Sequence, residues 1–425
     1  MSDERFQVII IGAGLAGSAA AYRLAKAGRE VLVVDRGKTP GAKNVSGGRI
    51  YTHALEKLMP GEWADAPLER EVTREMMMMM SGEDSFTIDS LFPSVSQSYS
   101  VLRGKFDEWL AAKAEEAGAM MISGTTVDGL LIRDGKVVGV KTGDEELEAD
   151  LVISAEGVNA IVAERAGLIK QIDVKDIAVA AKYVYKLSEE KINDRFNTVS
   201  GKGAALLAAG ECNKGIFGGA FMYTNKESIS LGLVVDSSSW KKSKLPLADV
   251  VEELKQLPAL ARYIEGGQLI EYSAHLIPEG GYKALPELCA DGFLLAGDAA
   301  GLCINRGFTV RGMDYAILSG IAAAETANEA IDAGDYTKGF LNSYRNKLQP
   351  VLKDFETLKN SHDYLAHTNH MFTTYPALAT GLMKNLYNVD GNPLKSAMAI
   401  MKQSTSGKLP YFDVIKDIVK GGRSL

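Results

Sequence analysis

The chain begins with a short, continuous apolar run, FQVIIIGAG. Its β-branched residues show no polar alternation, which predicts a strand buried on both faces, as at the centre of a parallel sheet. The helix SAAAYRLAKAG follows and ends at Gly28, and REVLVVDRG supplies a second strand closing at Asp35. Further on, SYSVLRGKFDEWLAAKAEEAGA predicts a helix with Phe106, Leu110 and Ala114 on its inner side and Arg103 just ahead of it. Strands dominate from Met120 to Asn159. Asp134-Gly135 is a hairpin turn between alternating runs, and LVISAEG returns to the first sheet, ending in Glu156-Gly157-Val158-Asn159.

From 175 to 285 the texture changes. DIAVAAKYVYKL, GGAFMYTNKESISLGLVVD and QLIEYSAHLI are strand-like, and Thr224 to Lys226 turn two apolar arms into a hairpin. DGFLLAGDAAG then gives one more buried strand, and GFTVRGMDYAILSGIAAAETANEAI starts a long helix of small residues. From about Tyr336 the chain is helical and polar, and it later alternates basic and apolar positions. There Ile415, Ile418 and Val419 share a face, with Lys416 and Lys420 beside it. Such a face is either packed against the core or turned to a partner or an anionic lipid surface. The expected class is α/β: a Rossmann-type nucleotide-binding domain, a second antiparallel-sheet (α+β) domain and a helical C-terminal segment.

The first turn carries chemistry. Gly12, Gly14 and Gly17 fall as G-x-G-x-x-G between strand and helix. The first allows a tight turn, the second lets a pyrophosphate approach the backbone, and the third lets the helix pack close to the strand. Asp35 ends the next strand 18 residues after Gly17, where a carboxylate accepts from a ribose 2′-hydroxyl and disfavours a 2′-phosphate. A dinucleotide site follows, for FAD or NAD rather than NADP. The glycine-rich loop RGKTPGAKNVSGGRIY, which a simple dehydrogenase does not need, lets something flat approach the backbone.

The late strand ends at Gly297, and Asp298 with the small residues after it suits a polyol rather than a second pyrophosphate. Amides near Arg311, Gly312 and Met313 open a helix and can face the electron-rich edge of a flavin ring. One FAD therefore uses both ends of the chain. The N-terminal glycines take its pyrophosphate, and the late motif takes its ribityl chain and ring.

Composition narrows the function. A chain of 425 residues exceeds what one core supports, so two connected domains are expected. With a net charge of -7 it lacks the basic footprint of a nucleic-acid binder. The N-terminus has no secretory pattern and no run approaches a membrane span, so the expectation is a cytoplasmic protein with at most peripheral membrane contact. Only Cys212, Cys289 and Cys303 are present, too few for a four-thiolate iron-sulfur cluster. His367 and His370 are spaced for a metal, but they lie in a polar stretch that reads as a solvated helix face, and no metal site is expected. The five methionines Met76 to Met80 cannot share one face. They read as a strand at a sheet edge over or near a pocket.

The G-x-G-x-x-G turn, the LR..FD.WL block, the acid-glycine pair at Glu156-Gly157 and the late GDAAG together resemble flavoproteins with the p-hydroxybenzoate hydroxylase type of fold. Within that class, GAKNVSGGR, YSVLR, EYSAHLIPEGG and GDAAGLCINRGFTVRGMD resemble the FixC-type flavoproteins related to electron transfer flavoprotein:quinone oxidoreductase. The resemblance implies FAD contacts at Gly12, Gly14, Ala16, Gly17, Asp35, Arg36, Gly47, Gly48, Arg103, Val127, Asp298, Arg311, Gly312 and Met313. The resemblance alone supplies Val127. The implied division is 1–174 for the first part of the FAD-binding domain and 175–285 for a sheet domain on the substrate or quinone side. The second FAD-binding part is 286–335 and the helical region 336–425. Phe221, Tyr223 and His275 are candidates for the pocket wall.

Two departures matter. The hydroxylase pattern has Asp-Gly where Glu156-Gly157 stands, which speaks against direct use of NADPH, and no cysteine follows Cys303. The implied activity is an FAD-dependent oxidoreductase that takes electrons from an electron transfer flavoprotein. It passes them to quinone at the membrane surface or to a ferredoxin-like iron-sulfur protein. The other readings are a flavin-dependent reductase of isoprenoid chains and a non-catalytic FAD relay subunit of a complex. No catalytic acid or base is singled out by the sequence.

Overall fold

The computed structural model describes residues 5–42, 48–94, 97–405 and 411–424. Two sheets organise it. In the first, Phe293–Leu295, Glu145–Ser154, Arg5–Ile11, Val31–Asp35 and Met120–Ser123 lie side by side in that order, all parallel. Val8, Ile9 and Ile10 are fully buried, as an apolar run without alternation requires when helices cover both faces. The hairpin Gly129–Arg133 and Lys136–Thr142 joins this sheet through the antiparallel start of Glu145–Ser154. Asp134 and Gly135 turn it, both with positive φ.

The helices Leu15–Lys26 and Met313–Ala333 pack together over this sheet with almost no side chain between their backbones. A Cβ on Gly320 would stand 2.3 Å from the carbonyl oxygen of Ala16, and one on Gly17 would stand 1.9 Å from that of Gly12. The small residues of both helices therefore permit a backbone-on-backbone approach that tethers the late segment to the first turn.

The second sheet has nine strands and is mostly antiparallel. Gln268–Pro278, Ile177–Lys186, Ser228–Asp236, Gly218–Thr224 and Lys202–Gly210 follow in space, and Thr224 to Lys226 lie at the expected hairpin turn. Leu68–Ser81, Ser98–Val101 and Gly48–Tyr51 continue it. Three strands between 48 and 101, together with Asp84–Leu91, thus pair into the sheet that the sequence division confined to 175–285. Hydrogen-bond pairing, not contiguity in the chain, sets which sheet a strand joins.

The methionine run is interior rather than at an edge. Leu68–Ser81 pairs in parallel with Lys202–Gly210 on one side and antiparallel with Asp84–Leu91 on the other. The period of two along the strand sorts the run. Met76, Met78 and Met80 enter a second core with Tyr183, Phe196 and Leu231, backed by the helices Glu189–Phe196, Leu247–Leu254 and Pro258–Ile264. Met77 and Met79 face the other way, into a cavity between the two sheets.

After Ala333 the chain is helical. Its last described helix, Tyr411–Ser424, returns to the mouth of that cavity. There Tyr364 donates to the backbone carbonyl of Asp417 at 2.9 Å and Tyr375 donates to its carboxylate at 2.7 Å. Val419, Lys416 and Lys420 are exposed, while the side chains of Ile415 and Ile418 lie outside the described residues. Among the described residues no helix is long and apolar enough to cross a membrane.

Because the Gly320 contact is backbone against helix, its expected sensitivity is high. Gly320→Ala should destabilise the protein by about 2 to 3 kcal/mol, the scale of overpacking in a close-packed interior. Urea denaturation checks this, and an unchanged midpoint would show that the helices separate at little cost.

Candidate functional site

One large cavity of about 1010 Å3 lies between the sheets and is walled by both ends of the chain. At one end the first strand delivers the turn. Gly12 adopts φ +99, and a Cβ there would strike the Ala155 carbonyl oxygen at 2.5 Å, so only glycine fits. Gly14 differs. Nothing lies within 4 Å of where its side chain would begin, so the backbone there faces open cavity. Gly17 serves packing alone, against the Gly12 carbonyl, and does not line the cavity.

Asp35 is held where the second strand ends. Its carboxylate accepts from the Ala13 amide at 2.7 Å and the Gly37 amide at 2.6 Å, tying the glycine turn to the next strand while remaining on the cavity wall. Beside it stand Arg36, Thr125, Thr126 and Val127. The loop carrying Val127 is fixed by the Gly124 amide on the Gly37 carbonyl and the Thr125 amide on that of Asp35.

Farther in, the late motif meets the first. Gly297 adopts φ +65 and sits against Ala16, and Asp298 faces the cavity from the short turn that follows. Arg103 opposes it. The Arg103 guanidinium is fixed by a two-pronged ion pair with buried Asp107, at 2.6 and 2.8 Å, and its charge reaches Asp298 and His275. Burial pushes the Asp298 carboxyl up to about 6, against the pull of Arg103. Burial likewise lowers His275, with Arg103 and then Arg36 adding repulsion, so a neutral ring is favoured on the wall.

The structure brings together Gly12, Gly14, Ala16, Asp35, Arg36, Gly48, Arg103, Val127, Gly297, Asp298, Gly312 and Met313 on this cavity. Gly48 abuts Met313, so the glycine-rich loop and the late helix meet across the chain. Gly47 lies outside the described residues. Arg311 is on the same segment, but its side chain is not among the lining groups. It binds Asp314 at 2.5 Å and Asp354 at 2.7 Å, and stacks near Tyr315. Glu156 lines the cavity, yet its carboxylate accepts from the amides of Val162 and Ala163 and from Ser154, so it also ties down the chain that follows the strand.

Phe221, Tyr223 and His275 all stand on the cavity wall, and burial pushes the Tyr223 hydroxyl up to about 12. The sequence reading missed Arg49, whose guanidinium pairs with Glu75 of the methionine strand, and Glu279. It also missed the C-terminal lining of Tyr364, Phe372, Tyr375 and Val414. For Arg49 the available signal was its place at the end of the glycine-rich loop RGKTPGAKNVSGGRIY. Nothing local marks the others.

A side chain at Gly14 fills space that the fold leaves open, whereas the packing glycines hold the fold itself. Gly14→Val is expected to fold normally and to lose FAD, read by equilibrium dialysis and thermal melting. Full flavin occupancy in that variant would remove the glycine turn from the site. Asp298 gives a pH signature in FAD-free protein. Its proton is held to about 6 in the native state and is released near 3.8 when unfolded. It therefore stabilises fully below the lower value, and that contribution is lost as pH rises through the upper one, on the order of 3 kcal/mol. Asp298→Asn should remove this part of the pH slope in urea unfolding, and identical slopes would refute the assignment.

The residues fit FAD: an open backbone notch at Gly14, a carboxylate at the end of the second strand, and a half-buried Asp298 on the cavity wall opposite Arg103. Residues 5–192 match the model described as FAD binding domain, and residues 362–425 match the ETF-QO/FixC family C-terminal domain. FAD is the cofactor. The chain is 45% identical to "Protein FixC" of Escherichia coli K12 over 99% of each chain. It is 42% identical to "Probable electron transfer flavoprotein-quinone oxidoreductase YdiS" of the same organism over 100% of each. A geranylgeranyl bacteriochlorophyll reductase-like protein from Thermoplasma acidophilum shares the fold, with TM-score 0.72 and 22% identity over 98% of this chain and 99% of that one. Sequence identity over nearly its whole length and the matched C-terminal segment show that the chain belongs to the ETF-QO/FixC family of FAD-dependent oxidoreductases.

Proposed function

We propose that this flavoprotein accepts electrons from an electron transfer flavoprotein and passes them to a quinone in the apolar end of its cavity, or onward to a ferredoxin-like iron-sulfur partner. The carrying observation is the two-part character of the cavity. Besides the glycine turn, Asp298 and Arg103, its wall carries an apolar group, Met77, Met79, Leu207, Phe221, Ile277 and Phe372, with the polar side chains of Tyr223, His275 and Glu279 also on the wall. That lining suits a ring with a greasy tail beside the flavin.

In this reading Gly12, Gly14, Ala16, Asp35 and Arg36 hold the nucleotide half, and Val127 lies beside it. Arg103, Gly297 and Asp298 hold the ribityl chain, while Gly48, Gly312 and Met313 border the ring. Arg311 acts from outside the cavity, holding the start of the helix through Asp314. Bound there, FAD supplies the redox chemistry, and the protein excludes water and sets its potential. The name of the YdiS relative supports a quinone acceptor. Access from a membrane surface is supported by exposed apolar residues in the C-terminal region, Tyr387, Val389, Leu394 and Met398, with Lys384, Lys395 and Lys402 nearby in sequence. With three cysteines in all, an iron-sulfur relay belongs to a partner.

The test is anaerobic stopped flow on the yellow, iron-free chain. Reduced electron transfer flavoprotein should bleach the FAD quickly, while NADH or NADPH alone should do so slowly or not at all, since Asp35 serves the FAD ribose. Fast bleaching by NADPH, accelerated by an aromatic substrate, would make the protein a hydroxylase. Coupled saturation of a prenyl lipid would make it an isoprenoid reductase. Stoichiometric iron-sulfur absorbance in the isolated chain would overturn the assignment of that relay to a partner.

A further inference from the structure

A second, much smaller cavity shares a wall with the large one. Its space of about 10 Å3 is room for about one water molecule. Phe217, Glu279, Cys303, Asn305 and Leu365 line both cavities, and Ser361 and half-buried His362 line only the small one. Glu279 therefore stands between the large cavity and the His362 side.

Its position is built. The Glu279 amide donates to the Asp176 carbonyl at 2.9 Å, which fixes the backbone just past the strand Gln268–Pro278. The Asn305 amide group donates to the carboxyl at 3.4 Å, and Asn305 is itself oriented by accepting from the Gly307 amide at 2.9 Å. The other groups around it are Asp236, at the end of Ser228–Asp236, the Cys303 thiol, Asp176, Tyr282 and His362. His362 sits against Gly281, and its charge reaches both Asp176 and Asp236.

We propose that Glu279 is a proton-relay residue, carrying protons between the large cavity and solvent by way of the one-water cavity and His362. The inference rests on the quinone reading above, and there the balance needs such a group. Reduction of a quinone to quinol takes two electrons and two protons, and reduced FAD bound there would supply both electrons and one of those protons, at one quinone oxygen. The other oxygen needs one proton from outside the pair, which the Glu279 O–H bond releases. The products are oxidised FAD and quinol, and the carboxylate regains its proton from His362 through the water, with His362 reprotonated from solvent.

Burial pushes the Glu279 carboxyl up to about 7, with Asn305 opposing and the charge of Asp236 adding to it. A donor must hold its proton, so its contribution is full below that value and is lost as pH rises through it. The same burial raises the Cys303 thiol far out of the range in which it could serve instead.

The experiment uses the full-length, FAD-loaded chain, photoreduced and mixed anaerobically with a short-tailed quinone from about pH 5 to about pH 9. The wild-type rate should fall through neutral pH. Glu279→Gln should be slower by about tenfold to a hundredfold, lose that break, and recover with added acetic acid, whereas Glu279→Asp should keep part of the rate. An unchanged rate in Glu279→Gln, or a slower one that keeps the wild-type profile and is not rescued, overturns the proposal.

A second readout does not need turnover. The oxidised protein should show an infrared carboxylic-acid band that titrates near neutral pH and is missing in Glu279→Gln, and its absence from wild type overturns the proposal. If wild type carries the band but does not reduce the quinone, the acceptor reading fails. Deuterium exchange of the band then decides the relay: slower exchange in His362→Ala supports it, and unchanged exchange overturns it.

Discussion

The structure depends on one contact of backbone against backbone. Helix Leu15–Lys26 is pressed on one side against the turn it leaves, through Gly17 on the Gly12 carbonyl. On another it meets helix Met313–Ala333, through Gly320 on the Ala16 carbonyl. A side chain at Gly17 would push the first helix off its turn, and one at Gly320 would wedge the late helix away. With it would go Gly297, Asp298, Gly312 and Met313, all on the cavity wall. Close packing here is thus a condition of having one site rather than two distant motifs.

Around that contact the cavity divides by chemistry. Its polar end pairs few charges tightly, since the Arg103 guanidinium is already clamped by Asp107 while its field reaches Asp298. Clamping keeps the cation in place without discharging Asp298. The apolar end comes from alternation in the nine-stranded sheet, where Met76, Met78 and Met80 complete a core behind the sheet as Met77 and Met79 face the cavity. One strand thereby serves stability and site together.

The C-terminal segment closes the arrangement. Tyr364 and Tyr375 hold Asp417, placing Val414 on the cavity wall. A matched family domain at 362–425 coincides with this covering segment. Glu279 lies just inside it, where the second sheet ends and the small cavity begins. Access to the apolar end is therefore framed by residues from widely separated parts of the chain.

Features that depend on local geometry were readable in the chain before it folded. The two buried strands, the glycine turn, Asp35 at a strand end and the Asp134-Gly135 hairpin all follow from backbone sterics and a short-range apolar pattern, and so the cofactor class was legible. The meeting of GDAAG with the first turn was legible because the residue chemistry of the two motifs reads as two parts of one cofactor site, and the structure places both on one cavity. Which sheet the strands of 48–101 join was settled by the fold, since the partner of a strand is set by long-range hydrogen bonding. The fold alone turned the side chain of Arg311 to Asp314 and Asp354, sorted the methionines between core and cavity, and set Glu279 between two cavities. Those outcomes depend on which surfaces meet across hundreds of residues, and no local period encodes that meeting.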